Sequence, residues 1–196
     1  KERVLYCNDE AAQAGALALW QGQGTEVLLA DSLIDAQFIP WLEMRHGELK
    51  FQRVDSELDS SLQEQEPSLA DADGKEASEK LRDLFKQSLS NDKITIQVQS
   101  LKGENAPAAL ILLPEQMRRL NDMGALMEQR LPGLPDHHVL LVNRRHRLVD
   151  GLLNLSSGAV LTTSPGANSP SQVLAEQLSR HLYEMARLAV GGLEPN

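Results

Sequence analysis

Short apolar runs alternate with longer periodic stretches along the first quarter of the chain. Val4-Leu5-Tyr6-Cys7 is a strand candidate, and residues 10–21, rich in Ala and Leu, favour a helix by propensity. Gln21-Gly22-Gln23-Gly24 breaks that helix before Glu26-Val27-Leu28-Leu29-Ala30, a near-continuous apolar run expected of a strand buried on both faces. Asp31 and Ser32 can cap a helix over 33–45, which carries Ile34, Phe38, Trp41 and Leu42 at spacings that share one face. Pro40 falls inside it, has no N–H to offer Ala36, and predicts a kink. A strand over Leu49 to Val54 completes the order strand, helix, strand, helix, strand, which predicts a small α/β layer with a mostly parallel sheet.

The pattern then changes. Residues 55–80 hold nine acids against Lys75 and Lys80, and their few apolar residues (Leu58, Leu62, Leu69) cannot bury much, which predicts a mobile linker between domains. Beyond it Leu81, Leu84, Phe85 and Leu89 form one stripe of a helix over 76–90. Ile94, Ile96 and Val98 alternate with polar residues as in a half-buried strand, and Ala108 to Leu113 is a more fully apolar one. A helix over 115–131, a strand at Val139 to Val142, a short helix near 146–154 and a Ser/Gly/Pro loop follow. The closing helix, over 170–190, has Ser169 as cap, Pro170 at its first position and Gln172 to complete a capping box. The expected class is therefore α/β (α+β). A small three-layer-like unit (1–55) and an acidic linker (56–75) precede a mixed α+β domain (76–196) that ends in a long helix.

Composition narrows the function more than the fold. The 196 residues carry a net charge of −9, which disfavours general binding to nucleic acid or anionic lipid. Residues 55–80 alone contribute −7 of it, by nine acids less two lysines. Arg118-Arg119 and Arg144-Arg145-His146-Arg147 are locally basic, yet no aromatic residues stand near them for base stacking. Cys7 is the only cysteine, no run is long enough for a membrane span, and no signal-peptide pattern opens the chain. A soluble, cytoplasmic protein is expected.

Catalytic chemistry finds little footing. Asp55, Glu57, Asp59 and Glu66 stand at calcium-loop positions 1, 3, 5 and 12, but Ser60 occupies the position that requires Gly. His137 and His138 point to opposite faces of a strand, and His146 and His181 lack evident partners. Phosphate-binding loops and nucleophile elbows are absent. Neither metal nor cofactor is expected within the chain. As an enzymatic or ligand-binding alternative, a crevice at the strand ends near Asn8 and Asp31 is where an α/β unit of this kind would bind.

Two helices stand out as surfaces. In that over 115–131, Met117, Leu120, Gly124, Met127 and Leu131 share a stripe that Met123 and Leu126 widen, either as core or as an adaptable apolar contact face. In the closing helix Leu174, Leu178, Leu182, Met185 and Leu188 lie along one side, to pack on their own domain or on another copy.

Gly24-Thr25-Glu26-Val27-Leu28-Leu29-Ala30-Asp31 followed by Ile34-Asp35 resembles the heat-shock protein 90 family of molecular chaperones, bacterial HtpG type. The resemblance continues at Lys50-Phe51-Gln52 and Val54-Asp55-Ser56-Glu57-Leu58-Asp59. It extends through Ala106-Pro107-Ala108 and through Leu141-Val142-Asn143 with His146 and Leu148, which is similar to the family's Asn-Pro-x-His segment. It implies the end of the middle domain joined to the C-terminal dimerisation domain of an ATP-dependent chaperone of the stress response. The domain that binds ATP and Mg would lie outside this chain, so no enzymatic turnover is expected. Lys1-Glu2-Arg3, with no initiator Met, fits a cut at a domain boundary. The family's client-binding helix matches 115–131, which implies that Met117, Leu120, Met123 and Met127 contact non-native proteins. Phe38 and Trp41 could do so from a second helix, where Gln37 and Pro40 depart from the family pattern. The closing helix would form the homodimer, although the family's last bundle helix would begin only at Glu194-Pro195-Asn196. Arg144 replaces the family's Pro after Asn143 and relaxes a turn.

Overall fold

The computed structural model describes residues 2–32, 34–56, 62, 71–103, 105–113, 137–160 and 169–190. Its first sheet consists of β1 (Glu2–Cys7), β2 (Leu28–Leu29) and β3 (Leu49–Arg53) in the order β2-β1-β3, all parallel. The expected α/β character and parallel pairing are both present. The crossover helices α1 (Ala14–Gly22) and α2 (Asp35–Arg45) cover opposite faces of this sheet. Leu5 and Cys7 pack on Ala16, Leu19 and Trp20 of α1, while Tyr6 and Phe51 pack on Ile39 of α2. Consecutive β1 residues thus serve opposite layers, as strand alternation requires.

A second sheet has the order β4-β6-β5, from β4 (Ile94–Gln99), β5 (Ala109–Leu112) and β6 (His138–Asn143). β6 runs parallel to β4 and antiparallel to β5. One face, with Ile94, Ile96, Ile111, Leu140 and Val142, packs on α3 (Asp71–Leu89), α4 (Arg147–Val160) and α5 (Pro170–Ala189). The other face turns Leu112 and Leu141 into the cluster around Trp20. The layers therefore stack as α2, first sheet, α1, second sheet, then α3 to α5. α1 is sandwiched, which accounts for its Ala/Leu-rich sequence with Gly15: a Cβ there would lie 2.8 Å from Leu110 Cδ2.

Three expectations are corrected. The run Glu26–Ala30 is not a strand buried on both faces; only Leu28 and Leu29 pair, and both are about half exposed because β2 is the edge of its sheet. Ile34, Phe38, Trp41 and Leu42 do not all share one face: the first three are exposed, while Leu42 packs in part on the cluster that holds buried Ile39. The acidic segment is not wholly exposed: Asp55, Ser56 and Leu62 are buried, and the Leu62 carbonyl accepts from the Lys102 N–H.

Boundaries differ elsewhere. α1 starts at Ala14 rather than residue 10, α3 at Asp71 rather than 76, and α4 runs on to Val160. Ser169 caps α5 by accepting from the Gln172 N–H at 3.2 Å, but the Gln172 side chain reaches Glu176 instead of closing the capping box. α3 ends at Ser90 in the left-handed region (φ 47°), whose N–H returns to the Lys86 carbonyl. Arg180 of α5 donates from Nε to the Ser88 carbonyl at 2.6 Å, tying that helix end to the closing helix.

Candidate protein-binding surfaces

The strand ends near Asn8 are filled by the protein's own side chains. Arg53 grips Asp55 with two parallel bonds, Nε to Oδ1 at 2.5 Å and Nη2 to Oδ2 at 2.8 Å, and both residues are buried. Arg53 Nη1 also reaches Asn8 Oδ1 at 3.4 Å, and the Asn8 and Gln13 groups exchange bonds of 2.5 and 3.2 Å. Asp31 is exposed and takes no part in these bonds. The arrangement ties the turn after β3 to the end of β1. A solvent-open cleft of about 770 Å³ lies instead between β1, the end of α1 and the approach to β2. It is lined by Arg3, whose guanidinium sits over the Trp20 ring, and by Gln21, Thr25 and Glu26.

Reactive groups are equally committed. Burial pushes the Cys7 thiol up, which keeps it protonated and a poor nucleophile. His138 bonds the Tyr183 hydroxyl at 3.1 Å beneath α5. Burial raises that hydroxyl, and the Arg187 guanidinium over its ring opposes the shift. Among the described residues no group of three or more His, Cys, Asp and Glu is disposed to hold a metal ion. No helix among them is long and apolar enough to cross a membrane.

What is open to solvent is apolar helix surface. On α2 and its N-terminal approach, Ile34, Phe38, Trp41 and Met44 are all exposed. The Phe38 and Trp41 rings stack at 5.5 Å, and Arg45 lies 5.4 Å from the Trp41 centroid. Phe38 and Trp41 remain 47% and 43% exposed, so the two rings form a rigid aromatic ledge rather than a buried seam. On α5 the buried side is Ala175, Ser179, Tyr183 and Ala186. Leu174, Leu178, Met185 and Leu188 face outward, 41–67% exposed. Ala175, Ser179, Tyr183 and Ala186 seat this helix on its domain, and Leu174, Leu178 and Leu188 are left outside. Leu182, on the edge of the stripe, packs partly on the core.

Met117, Leu120, Met123 and Met127 lie outside the described residues. Asn143, quoted above only as part of the segment similar to the family's Asn-Pro-x-His, is a buried side chain that joins three segments. Its Oδ1 accepts from the Leu101 and Arg145 N–H groups, and its Nδ2 donates to the Pro107 carbonyl. A lone Asn after an apolar strand and before a basic turn was the available signal.

No family model matches the chain. It is 29% identical over 154 residues to a chaperone protein HtpG of Bacteroides fragilis, which covers 76% of this chain and 22% of that relative. It is 27% identical over 159 residues to the HtpG of Bacteroides thetaiotaomicron, covering 79% and 23%. The chain spans about a fifth of the length of the curated relatives it matches. Over roughly three quarters of its length, the chain is thus related in sequence to bacterial chaperones of the HtpG, heat-shock protein 90, type.

Proposed function

We propose that this chain is the non-catalytic part of an HtpG-type chaperone that joins two copies and holds non-native client protein. In this reading residues 1–55 close the middle domain, 56–75 link, and 76–196 dimerise in the cytoplasm. ATP and Mg would be bound by a domain outside the chain. Its own contribution is mechanical: α5 joins two copies, and the α2 ledge, with Met117, Leu120, Met123 and Met127, offers apolar side chains to unfolded segments. The supporting observation is that α5 leaves Leu174, Leu178, Met185 and Leu188 exposed on the side away from its buried Ala175, Ser179, Tyr183 and Ala186, an apolar face that a helix serving only its own core does not need.

The energetics suit a reversible dimer. Four exposed Leu and Met side chains at about 1.5–3 kcal/mol each, less the cost of association, leave a weak to moderate affinity. Leu178→Glu is expected to abolish self-association in light scattering over a concentration series, with the unfolding midpoint unchanged because Leu178 faces outward. A wild-type chain still monomeric at about 100 micromolar would overturn this part of the reading.

A further inference from the structure

We propose that the cleft beside β1 binds an extended segment of another protein as an added strand. The backbone of β1 serves its two sides in turn: the Tyr6 carbonyl accepts from the Val54 N–H after β3, and the Cys7 carbonyl from the Ala30 N–H after β2. With a period of two, Arg3 and Leu5 turn their backbone groups to the same side as Cys7. β3 pairs with β1 from Glu2 to Tyr6, whereas β2 pairs only with Tyr6 and Cys7. The lane beside Arg3, Val4 and Leu5 therefore holds no strand among the described residues, and there the cleft of about 770 Å³ opens.

The protein's own chain is held out of that lane. α1 ends in a Schellman turn: Gly24 takes φ 71°, its N–H returns to the Gln21 carbonyl at 2.9 Å, and the Thr25 N–H returns to the Trp20 carbonyl at 3.2 Å. These bonds pin Thr25 to the helix end, so Glu26 and Val27 line the cleft opposite β1 and do not pair with it. The other edge of the sheet is closed by a side chain. There the Phe51 N–H of β3 donates to Glu43 Oε1 of α2 at 2.8 Å, which blunts that edge against a further strand. Among the described residues of the lining, Arg3 is the one cation and Glu26 the one acid, so net charge selects neither an anion nor a cation. Val4, Val27 and Leu28 supply apolar wall. A strand edge between apolar walls selects the backbone of an extended peptide with apolar side chains at alternate positions. No described residue of the lining belongs to α2 or α5, so the site depends on neither of the surfaces proposed above.

Nuclear magnetic resonance titration of the isotope-labelled chain with an end-capped octapeptide that alternates Val with Thr and Lys tests this. Saturable amide shifts are expected at Arg3, Leu5 and Val27 below about 1 mM peptide. Exchange of the Leu5 amide should slow more than about tenfold, with that of Phe51 unchanged. An analogue N-methylated at every second residue keeps one edge of donors and should bind, whereas one N-methylated at every residue has no donor left and should not. Thr25→Trp fills the cleft from a partly exposed position and should weaken binding at least about tenfold, or about 1.4 kcal/mol, at an unchanged unfolding midpoint. Three results would each overturn the proposal: no binding by about 1 mM, equal binding of the fully N-methylated peptide, or shifts confined to α2. The second would mean apolar contact without strand pairing, and the third that the peptide sits on the ledge instead.

Discussion

Trp20→Ala is expected to remove about 3–5 kcal/mol of stability, a large share of the roughly 5–15 kcal/mol that holds a typical domain. Trp20 is almost fully buried between the two sheets, in one cluster with Leu5 and Val54 of the first unit and Leu101, Leu112 and Leu141 of the second. Its Nε1 donates to the Val54 carbonyl at 3.1 Å, so truncation leaves both a cavity and a buried acceptor without that partner. Because the cluster belongs to both sheets, loosening should appear on both sides of α1. Trp41→Ala is the control: its ring is solvent-facing, and a change within about 0.5 kcal/mol is expected. Urea unfolding of the two variants against wild type measures the contrast directly. Equal losses would mean that the sheets are not joined through α1.

Asp55→Ala should be nearly as damaging, at about 3–5 kcal/mol, for an electrostatic reason. Arg53 and Asp55 are both buried and bound through two hydrogen bonds. Removing the carboxylate strands a buried guanidinium, whereas replacing both partners by apolar residues removes the charge problem altogether. Arg53→Met with Asp55→Leu is therefore expected to recover most of the lost stability in the same urea measurement. The site also carries the connection to the second sheet, since the Asp55 carbonyl accepts from the Leu113 N–H. The single variant should weaken that strand end as well, visible as faster amide exchange at Leu113.

Elements written as a clear period are legible in the sequence. The stripe of Leu81, Leu84 and Phe85, the alternation of Ile94 and Ile96, and the Ser169-Pro170 helix start all appear where the spacing puts them. The order of strand and helix sufficed for the parallel pairing of β1, β2 and β3. What the pattern could not settle is which side of an apolar helix turns inward. α2 has more apolar residues than one sheet face can cover, so Ile39 took the core and Phe38 and Trp41 were left in solvent. α1 is apolar on more than one side because two sheets press on it, a tertiary fact with no local trace. Glu26 to Ala30 looked like a buried strand because hydrophobicity alone does not distinguish a central strand from a short edge. Leu62, isolated among acids, gave no periodic signal, yet it is almost wholly buried. Nor do Arg53 and Asp55, two residues apart, announce that they close on each other.

The two tryptophans sit in opposite environments, Trp20 buried and Trp41 exposed, so Trp41 emission in a Trp20→Phe background reports on the α2 ledge alone. The most direct test of the chaperone reading is to titrate this protein with a reduced, carboxymethylated and therefore permanently unfolded protein. Saturable binding that shifts Trp41 emission to shorter wavelength is predicted, weakened at least about tenfold by Phe38→Glu, or about 1.4 kcal/mol, at an unchanged unfolding midpoint. Failure to bind the unfolded protein, or equal binding by wild type and Phe38→Glu, would contradict the account.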